Sequence, residues 1–393
     1  MKIAYLSNLY GSTARGGAER VVALEAEAMA AAGHDVMVAS LSHAGAPLFE
    51  SGAIRVYRYA APNLYAYPDG HGRAWTTRML WHAADTWNGP SARLCRSLLA
   101  HEKPDVVHTH NLMGLGFSIP TMIRGLGLRH VHTVHDVQLL HPSGLLAPDF
   151  EKRVGLGQRV YIDIMRRRLG SPETVVFPSR YLLELHDRFG FFSDSEKVVV
   201  PTPTPAVSLR ARALPSRPAF LFAGQLEEHK GARFLLDAWS RWPGAASSSL
   251  TLIGSGSLSE EIAARAGRSA NVEFAGAGDR DGVLAAMDRA AFTVVPSLVI
   301  ENSPAVIAES FSRGTPVVAA NVGGIPERVV ENETGFLFEP GDAASFAAAL
   351  DRAAASLPDW RKLFEHCCRA AAKSTPGAHI ETLERIYKKS PIE

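Results

Sequence analysis

Two glutamates, Glu301 and Glu309, stand eight positions apart in the stretch ENSPAVIAE. The stretch lies between two apolar runs that read as strands, FTVVPS and PVVAAN. Ser303 suits a helix N-cap and Pro304 the first helical position. Gly314 suits the position just past a helix end, with Pro316 following. The spacing therefore predicts a helix over 304–313, with Val306, Ile307, Ser310 and Phe311 as its inner stripe. Glu309 lies off that stripe and leans back toward the helix start. Carboxylates accept hydrogen bonds from paired hydroxyls, and the free N–H groups and positive dipole end of a helix N-terminus favour phosphate. Phosphate flanked by hydroxyl-binding carboxylates is the chemistry that would hold a nucleotide sugar. Taken alone, a surface helix with two solvated glutamates accounts for the pair equally well.

Other residues carry weaker chemical signals. Gly16 and Gly17 open a helix in RGGAER, where glycine lets backbone N–H groups approach a phosphate closely. A plain loop-to-helix turn explains them as well, and the pattern is not G-x-G-x-x-G. His108, His110, His130, His132, His135 and His141 are numerous enough to raise a zinc hypothesis. Strand alternation puts 108 with 110, and 130 with 132, on shared faces. No Cys or HExxH-type pattern supports metal, so structural histidines are the simpler reading. Asp279 and Asp281 form a D-x-D, where Asp281 reads as an N-cap. Ser257 and Glu260 in GSGSLSEE read as a capping box. Residues 158–169 form a basic amphipathic helix with Val160, Tyr161, Ile164, Met165 and Leu169 on one face. A buried face with solvated arginines is its usual explanation, and contact with anionic lipid the alternative.

Elements must place these residues. In the first half the runs KIAYLSN, DVMVASL, VVHTHN, HVHTVHD, TVVFPS and KVVVP alternate with helical stretches. From about residue 217 the rhythm restarts with AFLFAGQ, SLTLIGSG, VEFAG, FTVVPS, PVVAAN and GFLFEP. Continuous apolar runs of this kind suit parallel strands covered on both faces. The proline-rich stretch between the halves reads as a linker. The organisation is an α/β chain of two doubly wound Rossmann-like domains, 1–205 and 206–375, facing across a cleft, with a C-terminal helix at 376–393 docking across them. Ligands bind such sheets outside the carboxyl ends of the strands. Residues 43–100 are less regular and rich in aromatics, and read as a packed excursion of the first domain or as a sugar-stacking surface.

Composition narrows the classes. Apolar content of 46% and charged content of 21% describe a globular chain. Lys plus Arg is 41 against 40 for Asp plus Glu, so no global charge draws it to nucleic acid. Cys95, Cys367 and Cys368 show neither metal-ligand spacing nor a disulfide framework, which suits a reducing cytosol. No run approaches the ~20 apolar residues of a membrane span. The expected location is cytoplasmic, at most at the inner face of the membrane.

The stretch PSLVIENSPAVIAESFSRGTPVVAANVGGIPERVV…ETGFLFEPGD resembles the family-four glycosyltransferases of the GT-B fold. Their hallmark is E-x7-E, followed by G-x-P-V and GGIPE. GGAERVV, PDVVHTHN, HTVHD, FPSRYL, AGQLEEHKGARFLLDA and LIGSGSL occur in the family's usual order, so the likeness spans nearly the whole chain. It implies that Glu301 holds donor-sugar hydroxyls and Glu309 the ribose, with Asn302 and Ser303 facing sugar and phosphates. It implies that Lys230 binds phosphate, that Gly16 and Gly17 lie beside the donor diphosphate, and that His135 contacts the donor sugar, with Asp136 orienting it or binding acceptor. Arg280 would border the nucleobase. Gln225 stands where the family has arginine, and glutamine supplies a hydrogen bond without charge.

The resemblance implies a retaining transferase moving a hexose-type sugar from a nucleoside diphosphate, UDP ahead of GDP, to a hydroxyl acceptor. The acceptor would be a glycan, a glycolipid or a small molecule, in polysaccharide or glycolipid biosynthesis or natural-product chemistry. No cofactor or metal is required in this scheme, and peripheral membrane contact is compatible with it. A dehydrogenase lacks its glycine fingerprint here, and an epimerase would not need the E-x7-E context. A non-catalytic nucleotide-sugar-binding protein on the same scaffold has Gln225 in its favour.

Overall fold

The computed structural model describes the chain except residues 12–16, 43–47, 51, 68, 70–71, 206, 208–215 and 390–393. It divides into two units. The first comprises Met1–Leu145, Arg153–Pro201 and Gly377–Glu393, and the second Leu146–Lys152 and Thr202–Pro376.

The first unit is built on strands β1 (Lys2–Leu6), β2 (Asp35–Leu41), β3 (Leu48–Glu50), β4 (Ile54–Tyr59), β5 (Val106–Thr109), β6 (His130–Thr133), β7 (Thr174–Phe177) and β8 (Glu196–Val199). They form one sheet in the order β3-β4-β2-β1-β5-β6-β7-β8. Neighbours are parallel except for β3 against β4. The sheet grows outward from β1 in both directions, so its switch point lies between β1 and β5, where Leu6 pairs with Thr109. The strands are covered on both faces, which is why they read as unbroken apolar runs. The helix Gly17–Ala31 packs on the sheet through Val22, Ala26 and Met29, and the helix Pro376–Lys388 adds Ile380, Leu383, Ile386 and Tyr387 to the same cluster.

The irregular aromatic stretch contains β3, β4 and the helix Trp75–Thr86. Trp81 is buried, stacks on Tyr65, and donates its indole N–H to the Tyr65 carbonyl at 2.8 Å. Trp75 and Trp87 are exposed. The basic helix runs Leu156–Leu169 and buries Ile162, Met165 and Leu169. This corrects the expected inner face, because Val160 is exposed. The buried line follows i, i+3, i+7 from Ile162, and Tyr161 stays beside it by donating its hydroxyl to the Gln138 carbonyl at 2.8 Å.

The second unit is built on β9 (Ala219–Ala223), β10 (Ser249–Ile253), β11 (Val272–Phe274), β12 (Phe292–Val295), β13 (Val317–Ala320) and β14 (Gly335–Phe338), ordered β11-β10-β9-β12-β13-β14. All neighbours are parallel, and the switch point lies between β9 and β12. Phe220 stacks on Phe292 across that junction, 5.5 Å between ring centroids. The segment 146–152 belongs to this unit, since Ile300 N–H donates to the Leu146 carbonyl at 2.8 Å. Among the described residues no helix is long and apolar enough to cross a membrane.

Candidate active site

The loops leaving β9 and β12 meet at the switch point of the second sheet. Gly231 makes this approach possible. Its φ is +76°, and a Cβ there would lie 1.9 Å from the carbonyl oxygen of Pro296. Leu298 N–H donates to the His229 carbonyl at 2.9 Å and locks the two loops together. Lys230, on the first loop, then reaches Glu301 on the second, with Nζ 2.6 Å from Oε1. Ser297 donates its hydroxyl to the same carboxylate oxygen at 3.1 Å. Glu301 is 14% exposed and Lys230 31%, so the pair is partly desolvated yet open to a ligand.

The loop after β13 closes behind Glu301. Gly324 N–H donates to the Glu301 carbonyl at 2.8 Å. Gly323 has φ +62°, and a Cβ there would lie 2.0 Å from that carbonyl oxygen. The two glycines of GGIPE thus fix the backbone that carries Glu301.

The helix after Glu301 runs Ala305–Ser312, and its N-cap is Pro304 without a side-chain hydrogen bond. This corrects the expectation that Ser303 caps it. The helix starts one residue later, and the buried Ser303 hydroxyl has no hydrogen-bond partner. Of the expected stripe Ile307, Ser310 and Phe311 are buried, whereas Val306 is half-buried. Gly314 ends the helix at φ +70°, as its type suggested. Glu309 is 12% exposed, and its Oε1 lies 3.9 Å from Nε of Arg280. Asn302 is buried, while Gln225 is exposed in the loop after β9.

Two further expected caps are corrected. The helix Arg280–Arg289 is capped by Asp279, which accepts from Gly282 N–H at 2.8 Å, so Asp281 falls inside the first turn. Ser257 does not cap its helix, which runs Ser259–Ala266. Glu227 takes Ser257 instead, accepting from its N–H at 2.8 Å and from its hydroxyl at 2.6 Å.

In the first unit, His135 follows β6 and lines a pocket with His110, Asp136 and Gln138. His110 Nδ1 lies 2.8 Å from His135 Nε2. Burial lowers His135 to about 4, with the charge of His379 adding to the effect. Burial raises the neighbouring Asp136 to about 6, against the stabilising Gln138 N–H and with Glu19 adding repulsion. Gly17 opens its helix and is exposed, and Gly16 lies outside the described residues.

The histidines divide between sheet faces as strand alternation requires. Thr109 Oγ1 lies 2.8 Å from His130 Nε2 and 2.8 Å from His132 Nδ1. On the other face His108 and His110 are 4.2 Å apart, and His108 Nδ1 lies 2.6 Å from the Tyr387 hydroxyl. Glu25, His108 and His110 bring three ligand-type atoms within 4.8 Å of one another.

Sequence reasoning missed Ser297, Glu227 and Glu25. Glu25 had a signal, since it sits on the apolar stripe of its helix with Val22, Ala26 and Met29.

Comparison with known proteins decides the family. Residues 15–205 match the profile described as Glycosyltransferase Family 4, and residues 217–356 that described as Glycosyl transferases group 1. The chain belongs to the family-four glycosyltransferases. It is 31% identical over 278 residues to D-inositol 3-phosphate glycosyltransferase of Acidothermus cellulolyticus, covering 63% of this chain and 59% of that one. The match thus spans little more than half the length of such curated relatives. Sucrose-phosphate synthase from Thermosynechococcus elongatus shares the GT-B fold with TM-score 0.74 at 20% identity, over 98% of both chains. HepE of Anabaena, solved with UDP and glucose, superposes with TM-score 0.67 at 18% identity, over 98% of this chain and 99% of that one. In this family member the E-x7-E glutamates are the two carboxylates gathered by the β12 loop and its helix.

Proposed function

We propose that the chain is a retaining hexosyltransferase that moves a sugar from a UDP-sugar to an acceptor hydroxyl in polysaccharide or glycolipid assembly. The observation that carries this is the convergence of Lys230 and Glu301 at the β9/β12 switch point, beside a helix whose start holds the unpartnered Ser303 hydroxyl. UDP is favoured over GDP because HepE, of the same fold, is solved with UDP.

In this reading Glu301 takes donor-sugar hydroxyls and Glu309 the ribose. Lys230, the amides of Asn302 and Ser303, and the glycines Gly16 and Gly17 hold the diphosphate. Donor binding draws Lys230 from Glu301 onto phosphate and frees the carboxylate for hydroxyls. Arg280, already beside Glu309, borders the base. Gln225 contributes a hydrogen bond without charge. His135 contacts the sugar. The acceptor oxygen bonds to the anomeric carbon on the face from which the diphosphate leaves, and the diphosphate oxygen takes the acceptor proton. No metal or other cofactor enters these steps. Exposed Leu156 and Val160, with Arg159 and Arg167 nearby on the same helix, provide for peripheral contact with an anionic lipid surface.

The test is release of nucleoside diphosphate from UDP-glucose, UDP-galactose and GDP-mannose with EDTA present, followed by NMR of the product's anomeric configuration. UDP release with an α-linked product is expected. An inverted product would refute retention, and release only with added metal would refute the metal-free scheme.

A further inference from the structure

Glu25 on the helix Gly17–Ala31, His108 on β5 and His110 just after β5 meet inside the first unit. Glu25 and His110 are each 1% exposed, and His108 is fully buried. Their three ligand-type atoms lie within 4.8 Å of one another. Oε2 of Glu25 is 3.6 Å from Nε2 of His110 and 3.8 Å from Nδ1 of His108. Ligands about 2.0–2.1 Å from a tetrahedral zinc ion stand about 3.3 Å apart, so small side-chain adjustments bring these atoms onto one ion. Glu25 Oε2 and His110 Nε2 have no hydrogen-bond partner. Buried polar atoms are seldom left so, and these two face each other.

The other polar atom of each group is held from outside, as the ligands of metal sites are. His108 Nε2 lies 2.7 Å from Thr133 Oγ1, and His110 Nδ1 lies 2.8 Å from His135 Nε2. Glu25 Oε1 lies 2.8 Å from Nε2 of His379. The Tyr387 hydroxyl, 2.6 Å from His108 Nδ1 and 3.2 Å from the Tyr5 hydroxyl, supplies a fourth donor. It gives up its bond to that nitrogen when an ion takes the lone pair. A bridging water is the competing occupant, since it would satisfy Glu25 and His110 and leave His108 on Tyr387. The third ligand, and an outer partner on every ligand, favour the ion.

We propose that Glu25, His108 and His110 form a structural site for a divalent transition-metal ion, zinc being an ion that suits two imidazoles and a carboxylate. Binding expels any proton the ligands carry, so the site does not depend on which of them is ionised beforehand. The ion ties the first helix to β5 and, through Tyr387, to the helix Pro376–Lys388. No ligand faces solvent, so the ion is acquired as the chain folds and EDTA in a transfer assay leaves it in place. It takes no part in sugar transfer, and the site stands or falls apart from the proposed activity.

The test is the metal content of untagged full-length protein from cells grown with added zinc, passed over a chelating resin and measured by inductively coupled plasma mass spectrometry. About one zinc per chain is expected, falling below about a tenth in Glu25→Ala and in His110→Phe. His130→Gln, on the other face of the sheet, should keep its zinc. X-ray absorption at the zinc edge should show two imidazole nitrogens with oxygen ligands at about 2.0–2.2 Å and no sulfur. Wild type with less than about a tenth of a zinc per chain overturns the proposal and leaves a water between Glu25 and His110. Zinc retained by both variants, or a sulfur shell, overturns it too, because the ion then sits elsewhere. If the variants do not fold, the zinc content and absorption spectrum of wild type decide alone.

Discussion

β5 and β6 of the first sheet carry His108, His130 and His132, all buried, and His110 follows directly. β12 and β13 occupy the equivalent side of the switch point in the second sheet and read FTVV and VVAA, with Thr293 the one polar side chain. Among the described residues, the buried histidines all lie in the first unit. The first unit thus keeps its polar chemistry inside the layer, where imidazoles are held neutral by desolvation and bonded to Thr109, Thr133 and Tyr387. The second unit keeps an apolar sheet and puts its chemistry in the loops above it. An internal network orients groups but ties stability to protonation. An apolar platform lets loop residues change with little cost to the fold.

The sharpest way to break this contrast is to alter the second unit's loops. Glu301→Gln and Lys230→Ala should each lower transfer by about 10²–10³-fold, as loss of a charged transition-state contact does. Neither should shift the melting temperature by more than a few degrees, because the pair lies outside the core. Steady-state kinetics with a melting curve on the same samples checks both halves. A fold that collapses with either substitution would make the second unit as dependent on its polar groups as the first.

Acid should separate the units next. Burial lowers His130 to about 3 and His135 and His186 to about 4, with His108, His110 and His132 also well below the ordinary imidazole range. Between the unfolded value near 6.5 and these folded values, the unfolded chain binds more protons, so stability falls as pH drops through that window. For His135 alone the loss is about 3 kcal/mol. Asp85, raised by burial to about 7, and Asp136, raised to about 6, act in the opposite sense, and six histidines outweigh them. Hydrogen exchange read peptide by peptide should show the first unit opening between pH 6.5 and 4 before the second. Simultaneous opening would refute the contrast.

A smaller effect belongs to the loop that carries Glu301. Gly323→Ala meets both a left-handed φ of +62° and a backbone oxygen at 2.0 Å, and should cost about 2 kcal/mol while weakening donor binding. Denaturant unfolding beside a binding isotherm checks it. An alanine without effect on either would mean that this loop does not position Glu301. Smallest is the helix cap: Asp279→Ala should cost about 1 kcal/mol and Asp281→Ala less than half of that, measured by urea melts.

All six strands of the second sheet and six of the eight in the first were legible as apolar runs. β3 and β4 were not, because IRVYRY alternates apolar with arginine and tyrosine instead of running continuously. The placement of the glutamate pair at a helix start was legible from its spacing and flanks, whereas Lys230, which the structure brings to Glu301, was singled out only through the family resemblance. The caps were not, since a one-residue shift decides them: the helix after Glu301 begins past Ser303, and a distant carboxylate, Glu227, claims Ser257. Contacts such as Glu25 with His379 join residues from opposite ends of the chain, and local pattern carries no trace of them.

The central claim is that the β12 loop and its helix bind a nucleoside diphosphate through Glu301, Glu309 and Lys230. Calorimetric titration of UDP, GDP, ADP and NAD into wild type and Glu309→Ala, with EDTA throughout, tests it most directly. The account predicts that UDP binds without metal and that the variant binds it at least about tenfold more weakly, a difference of ~1.4 kcal/mol. Binding of NAD alone, or UDP binding untouched by Glu309→Ala, would contradict it.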